Sequence, residues 1–584
     1  MRKLTPAFVL AGLALALPTP AAAARFALGV ERGYSAERVA SRLEARTGKP
    51  VSVIGPFAVS IEAPSARGLA STPGVSFVER VDQRRRLAFV PNDPFAASRQ
   101  WYLGRVRAFD AWPKVPILPP VAVAIIDSGI DAQHPELEER ILEGKSFVRG
   151  PWGKDTNGHG TFVAGQIAAA LNNGQGIAGM AFPAQLLVAK VVRRDNTISL
   201  EAEARAIRWA ADNEASVINL SFGGVRDPGD SSRDAYSPLE AAAIEYAVRK
   251  GALVVAAVGN ADNAPVEPWS YASYPAALPH VLGVSAINRD GSVPNFSNRD
   301  KIYNDIAAPG EGIFSTLPRA LTPPGPRVTC LVPGYSDCGP AEFRRGEGTS
   351  FAAPQVSAAA ALIMAERPFI RADQVITILE RAAIDATPAR GCRRCWSGRD
   401  DFTGWGVLDI AAAVESLAGP LPEPDTREPN DEAAKRSWSL VWGGPKGRRI
   451  AATINYWQDP VDVYRVRLRR GERLRVTLHG PRTANARLLL WKPGTKRVEG
   501  LAVDRRRLAA RSAPGGLVKA IRYRAARKGS YYIQVKVTEG FGRYFLRFVK
   551  RPARPTGSRA TPQQRRRGSA APGSPQREFS ALRP

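Results

Sequence analysis

Hydrophobic and polar positions follow three textures along the chain. Over 25–92, "FALGV" and "FAVSIEA" read as strands, and "SAERVASRLEARTG" has apolar positions at helical spacing with a glycine stop. Together they predict a small α/β unit. "VDQRRRLAFVPNDP", charged and then punctuated by proline, reads as a linker. Over 93–420, short continuous apolar runs ("VAVAIID", "QLLVAKVV", "SVINLSF", "ALVVAAVG", "HVLGVSAI") alternate with helical stretches. Such Val- and Ile-rich runs suit parallel strands buried on both faces. "SPLEAAAIEYAVRKG" reads as a helix, with Ser237 and Glu240 at capping-box spacing, Pro238 in the first turn and Gly251 as the stop. Strands alternating with helices predict an α/β domain with a parallel sheet flanked by helices. Over 425–550, "VDVYRVRLRRG", "ERLRVTLHG", "ARLLLWKPG" and "SYYIQVKV" alternate apolar and polar positions between Gly-containing turns, which predicts a β-sandwich. Residues 551–584 are mostly Arg, Pro, Ser and Gly and predict a disordered basic tail.

The first 24 residues fit none of these textures. MRK, then AFVLAGLALAL, then PTPAAAA, reads as a secretory signal peptide cleaved near Ala23 or Ala24. The alternative, an N-terminal membrane anchor, calls for a longer apolar run. Export predicts an extracellular protein. It also makes disulfides the default for the four cysteines, Cys330, Cys338, Cys392 and Cys395. The pairings 330–338 and 392–395 are local, but spacing does not prove them. A CxxC with a distant Cys pair also suits zinc.

Charge separates the chain again. The net charge is +28, yet 421–584 holds 38 Lys/Arg against 12 Asp/Glu, and the first 420 residues hold 44 against 42. The basic end predicts attraction to anionic cell-surface polymers, with a merely solvated Arg-rich face as the plainer alternative. No recognition motif points to a specific nucleic acid.

In an open α/β sheet, reactive groups collect where strands end and helices begin. "VAVAIIDSGID" leaves Asp127 at a strand end. "DTNGHGTFVAGQIAAAL" sets His159, one of four histidines, between two glycines at a helix start. "GEGTSFAAPQV" sets Ser350 before an Ala-rich helix. A serine hydroxyl is a weak nucleophile and needs a base, which a carboxylate-oriented histidine supplies. Each piece alone has a structural alternative: a helix cap for Ser350, a satisfied histidine for His159, a turn residue for Asp127. Their joint occurrence in the order Asp, His, Ser favours the chemistry.

"AIIDSGID", "NGHGTFVAG" and "GTSFAAPQV" resemble the three signature segments of the subtilisin-like serine peptidases, the subtilases. The resemblance covers about 93–418. It implies that Asp127 orients His159, that His159 is the general base and acid, and that Ser350 attacks the scissile carbonyl. "VVAAVGNADN" resembles the family's oxyanion segment and implies that role for Asn260. "NLSFGG" resembles the segment that pairs with an extended substrate, which implies substrate binding at Ser221, Phe222 and Gly223. Val258 and "SYP" at 273–275 would complete the first specificity pocket, with a broad apolar preference. "ALNNGQGIAGMA" resembles the family's calcium loop. It implies a structural calcium ion held by the Asn173 side chain and by carbonyls of Leu171, Gln175 and Ile177. Glu136 stands where the family often has Asp.

Phe351 replaces the family's usual Met, and "PQV" with Gln355 replaces "PHV". Residues 25–92 look like an inhibitor-type propeptide, an intramolecular inhibitor removed at "QRRRLAFVPNDP". Residues 425–550 resemble the bacterial pre-peptidase C-terminal domain through "EPNDE", "DPVDVYRVRL" and "GSYYIQV", with calcium on Asp431 or Asp459 as a weaker implication. The expectation is a secreted, monomeric serine endopeptidase acting on proteins or peptides and made as a self-processing zymogen. A non-catalytic surface-binding protein on a degenerate scaffold and an acyl-transferring peptide ligase are the alternatives.

Overall fold

A computed structural model describes residues 24–81, 89–112, 118–261, 264–322, 342–441, 447–499 and 503–552. The signal segment up to residue 23, Cys330, Cys338 and the basic tail from residue 553 lie outside the described residues. Among the described residues no helix is long and apolar enough to cross a membrane. Internal contacts divide the chain into two compact units, with the break after Leu87.

The first unit has strands β1 (Ala24–Val30), β2 (Val51–Gly55), β3 (Ala58–Ala63) and β4 (Val75–Arg80) in the order β2-β3-β1-β4. Its pairs are antiparallel. Helix α1 (Ala36–Thr47) buries Val39 and Leu43 against Leu28, Val59 and Ile61. Ser35 caps its start and Gly48, at φ 66°, ends it, as the glycine stop predicts.

The second unit opens with the short helices α2 (Trp101–Arg105) and α3 (Ala108–Ala111). Seven strands then build a parallel sheet: β5 (Val121–Asp127), β6 (Ile141–Ser146), β7 (Ala184–Lys190), β8 (Val217–Leu220), β9 (Leu253–Ala257), β10 (Val281–Ile287) and β11 (Ile306–Pro309). Their order is β11-β10-β9-β8-β5-β7-β6. The chain crosses over between β5 and its two neighbours, which opens a crevice at the carboxyl ends of the central strands.

One face of the sheet packs against α4 (His159–Ala168), and the other against α5 (Leu200–Asp212) and α6 (Pro238–Lys250). A small antiparallel pair, β12 (Ile313–Thr316) with β13 (Phe343–Gly346), precedes α7 (Thr349–Glu366). Helix α7 is apolar all round because it is the central buried helix of the α4 face, joined there by α8 (Ala372–Ala382) and α9 (Ile410–Ser416). Its lack of a polar stripe is why it crosses the core rather than lying on the surface.

Only half of the capping box expected on α6 forms. The Glu240 N–H donates to Ser237 Oγ at 3.2 Å, but the Glu240 carboxyl turns inward to Glu203 of α5.

The β-sandwich uses β14 (Trp438–Ser439), β15 (Arg448–Asn455), β16 (Val461–Leu468), β17 (Arg473–His479), β18 (Ala484–Trp491), β19 (Leu508–Arg511), β20 (Val518–Arg524) and β21 (Gly529–Arg551). Strand β21 serves both layers. Its first half pairs with β16 and β18, and its second half with β15 and β17. The change of partners falls at Gly540 and Gly542, whose φ of 73° and 147° let the strand turn the corner. Tyr464, Leu488, Ile533, Tyr544 and Phe548 fill the space between the layers.

Candidate active site

Asp127 ends β5 and His159 begins α4, on neighbouring carboxyl-end loops of the sheet. His159 Nδ1 lies 2.9 Å from Asp127 Oδ1 and 3.0 Å from Oδ2. The Asp127 carboxylate is buried and also accepts from the Ser128 N–H at 2.7 Å. Burial opposes charge on the imidazole, but the Asp127 charge, its hydrogen bond and the Asp155 charge together outweigh it and the His159 pKa is raised.

Asp155 aligns the two segments. It accepts from Ser128 Oγ, the N–H groups of Asn157, Gly158 and Thr161, and Thr161 Oγ1. Lys190 Nζ donates to the carbonyls of Ser128 and Lys154, tying the same turns from β7. No motif reading singled out either residue; the visible signal was a buried-strand lysine in "VAKVV".

Ser350 is the second residue of α7. Its Oγ donates to the Ser221 carbonyl at 2.8 Å, and Ser221 Oγ donates back to the Ser350 carbonyl at 2.8 Å. The return bond has a covalent cause. Pro354 stands four residues on, where a helix would supply an N–H to that carbonyl, and proline has none. The Phe351 ring lies 5.4 Å from the His159 ring, and Gln355 Nε2 donates to the carbonyls of Pro309 and Phe351.

Asn260 follows β9. Its Oδ1 accepts from the Thr349 N–H at 3.0 Å and from Thr349 Oγ1 at 2.9 Å. That turns Nδ2 toward Gly348, where a Cβ would meet it at 3.3 Å. A carboxamide N–H therefore faces the start of α7, beside the Ser350 N–H.

Ser221, Phe222 and Gly223 leave β8 toward a bridge between Gly224 and Tyr274, made by backbone bonds of 2.8 and 2.9 Å. The Ser273 N–H donates to the Val258 carbonyl at 2.8 Å. The sequence-predicted pocket pieces thus come together. Asp300, bonded to the Ala272 N–H, is already paired with Arg226 at 2.7 Å.

The calcium-loop residues gather in part. Glu136 is buried; its Oε1 accepts from the Ile177 N–H at 3.2 Å, and its Oε2 from Asn173 Nδ2 at 3.3 Å. No side-chain bond joins Leu171 or Gln175 to Glu136 among the described residues. The sequence reading missed Asp93, also buried, which accepts from the N–H groups of Asn172 and Asn173. Burial, with the Asp93 charge nearby, pushes the Glu136 pKa up to about 8. Two buried acids face one loop with no basic side chain hydrogen-bonded to either among the described residues, but N–H groups meet both, and the Asn173 carboxamide turns Nδ2 to Glu136 while its oxygen accepts from the Gln175 N–H.

A second acidic group lies where the β-sandwich meets the α/β body. Carboxylate oxygens of Asp425, Glu428, Asp459 and Asp462 lie within 4.8 Å of one another, and His280, Glu428 and Asp431 form an adjoining group. His280 Nε2 sits 2.8 Å from Asp431 and 3.4 Å from Glu428. Asp459 Oδ1 is buried with no partner. A cavity of about 1010 Å³ opens on this seam, lined by His280, Glu380, Trp405, Glu428, Asp459 and Phe541. It stands apart from the triad. Cys392 and Cys395 form a disulfide, which leaves that CxxC no thiolate for zinc.

The model of the subtilase family (Peptidase S8) matches residues 120–406. Thermitase of Thermoactinomyces vulgaris is 33% identical over 280 residues, spanning 48% of this chain and 86% of its own length. The major intracellular serine protease of Bacillus subtilis (strain 168) is 36% identical over 264 residues, spanning 44% and 72%. Among solved structures, a protease from Pseudoalteromonas arctica aligns with a TM-score of 0.43 and 26% identity, covering 56% of this chain and 99% of that one. The matched residues of the family model end before the β-sandwich.

Proposed function

This chain belongs to the subtilase family and is a serine endopeptidase acting on proteins or peptides, and we propose that Asp127, His159 and Ser350 are its triad and that it is exported as a self-processing zymogen. The observation that carries the triad is the His159 Nδ1 contact to both Asp127 oxygens, which leaves Nε2 as the base. When substrate arrives, the Ser350 hydroxyl leaves the Ser221 carbonyl and gives its proton to Nε2. Oγ attacks the scissile carbonyl carbon, and the carbonyl electrons move to oxygen. That oxyanion accepts from Asn260 Nδ2 and the Ser350 N–H. His159 then protonates the leaving amine, and an acyl-enzyme remains. Water, deprotonated by His159, releases the acid and restores Ser350.

The substrate backbone pairs beside Ser221, Phe222 and Gly223, which gives affinity without sequence selection. The first pocket takes apolar residues, since Asp300 behind it is neutralised by Arg226.

Glu136 and Asp93 would hold a structural calcium ion on the 171–177 loop, with the Asn173 carboxamide turned to offer its oxygen. The cluster Asp425, Glu428, Asp459 and Asp462 would hold a second cation in a pre-peptidase C-terminal domain. These ions supply charge neutralisation, and no catalytic step passes through them.

Residues 25–81 act as the propeptide. Its junction falls within "QRRRLAFVPNDP", and the bonds of Asn92 and Asp93 into the 172–174 loop favour a cut on their N-terminal side. The mature protein is secreted as a monomer, and its basic end attracts anionic surface polymers.

The test is a fluorophosphonate probe with intact mass. The wild type takes one label and loses the propeptide, while Ser350→Ala takes none. A folded, propeptide-free wild type that takes no label overturns the triad.

A further inference from the structure

Among the described residues, an arginine of the β-sandwich reaches the loop that leaves segment 221–223. Arg497, between β18 and β19, donates from Nη2 to the hydroxyl of Tyr236 at 2.9 Å, and its guanidinium carbon lies 5.8 Å from the centre of that ring. The arginine is aimed from behind by Glu432, 3.5 Å from Nε. Glu432 is itself buried and fixed by the N–H groups of Val498 and Ala433.

Tyr236 stands at the far end of the loop that leaves the substrate segment 221–223, one residue before the cap of α6. Its ring packs edge-on against Tyr274, 5.6 Å between centroids. Tyr274 is the residue bridged to Gly224. It is buried, and its own carbonyl lies so close to Gly223 that a Cβ there would meet it at 2.4 Å. The backbone here is held by an isolated bridge and by the Ser273 N–H bond to Val258, with no longer ladder beside it, so the packing of the Tyr274 ring helps to set where the pocket base lies.

We propose that the β-sandwich is a working part of the peptidase, and that Arg497, through Tyr236 and Tyr274, is a positioning residue for the first specificity pocket. The proposal rests on the reading of 221–223 as the substrate segment. Arginine suits this role because its fork holds Glu432 and the Tyr236 hydroxyl at once. Arg436 also crosses the seam, pairing with Glu245 of α6, and lies near enough to Tyr236 and Arg497 to feel their charge, but no hydrogen bond joins it to Tyr236 or Tyr274 among the described residues. It serves as the control.

The experiment uses the full mature chain, its mass showing the β-sandwich retained, and two peptides that differ only in having Phe or Ala before the scissile bond. Arg497→Met and Tyr236→Phe each raise KM for the Phe peptide about 3- to 10-fold. They leave kcat and the rate of fluorophosphonate labelling unchanged, and the double variant does no more than either single. Arg436→Met leaves the Phe/Ala preference at the wild-type value.

Unchanged kinetics in both single variants, effects that multiply in the double, or the same shift from Arg436→Met overturns the proposal. So does a mature enzyme that has shed the β-sandwich. Phe222→Ala separates the two readings, because it removes side-chain atoms from the substrate segment and presses nothing new on Tyr274. If it spares the Phe peptide, the substrate-segment reading itself fails. If it weakens cleavage of that peptide while Arg497→Met is silent, only the buttress fails.

Discussion

Ser350 and Ser221 hold each other through two reciprocal bonds, hydroxyl to carbonyl, each 2.8 Å long. The Ser350 proton is parked on the Ser221 carbonyl, and the carbonyl freed by Pro354 is satisfied by the same partner. Ser221→Ala removes the second bond and leaves that carbonyl without a donor. Denaturant unfolding is expected to show a loss of about 1–3 kcal/mol, while probe labelling of Ser350 persists.

Asn260 is held by Thr349 through its oxygen, which leaves its nitrogen facing the start of α7, the place proposed for the oxyanion. Asn260→Ala is expected to lower kcat by about 10²–10³ with little change in KM, the size known for one such donor in subtilisin. Steady-state kinetics on a single peptide decides it. An equal rise in KM with kcat intact would mean that Asn260 only binds substrate.

The pH dependence of the dyad has a definite sign. Burial is the largest single effect and lowers the His159 pKa, but the Asp127 charge, its hydrogen bond and the Asp155 charge together outweigh it, and the net shift is upward. The base works only when neutral, so the acid limb of kcat/KM lies above the usual imidazole value and activity rises as pH climbs through it. Removing the Asp127 anion leaves burial opposed only by the weaker Asp155 charge. NMR titration of His159 is expected to show a lower pKa in Ser350→Ala/Asp127→Asn than in Ser350→Ala alone.

A second titration concerns stability. Glu203 of α5 and Glu240 of α6 face each other inside the protein, and burial raises both pKa values. Their contribution to stability is therefore full at low pH and is lost as pH rises from the ordinary carboxylate range through the raised values. Thermal midpoints of the wild type should fall as pH rises through that range, and those of Glu203→Gln should fall less. Parallel curves would show that the pair does not share a proton.

Cation removal should act on stability before chemistry. A ligand at 100 times its Kd stabilises the folded state by about 2.7 kcal/mol. Chelation is expected to lower the thermal midpoint and speed autolysis. Glu136→Gln and Asp459→Asn should each blunt part of that response. A midpoint indifferent to chelator would remove both sites.

Some of this was legible from residues in a row. "VAVAIID" and "ALVVAAVG" announce buried parallel strands because both faces of such strands are covered, and Asp127 and Asn260 fall where those runs stop. The helix after Ser35 and its end at Gly48 follow from local capping alone. Other features had no linear signal. Asp93 reached the 171–177 loop only by folding, since its partners lie about 80 residues away. The Glu240 carboxyl, expected to close a capping box, found Glu203 instead because α5 and α6 pack side by side. Strand β21 was legible as "SYYIQVKV", but its extension to Arg551 was not, since its second half alternates around glycines and charges.

The sequence by itself determined the chemistry on offer. A serine at an Ala-rich helix start, a Gly-flanked histidine and a strand-end aspartate are set by residue identity and local conformation, and so is the missing N–H of Pro354. Only the tertiary structure decided how those groups are used. It set both Asp127 oxygens on one imidazole nitrogen, turned Asn260 by its oxygen, and laid Arg497 on Tyr236 across more than 250 residues of chain. The reason is physical. Propensity and capping act over a few residues, whereas a hydrogen bond between distant segments exists only once the apolar core has fixed both of them in place.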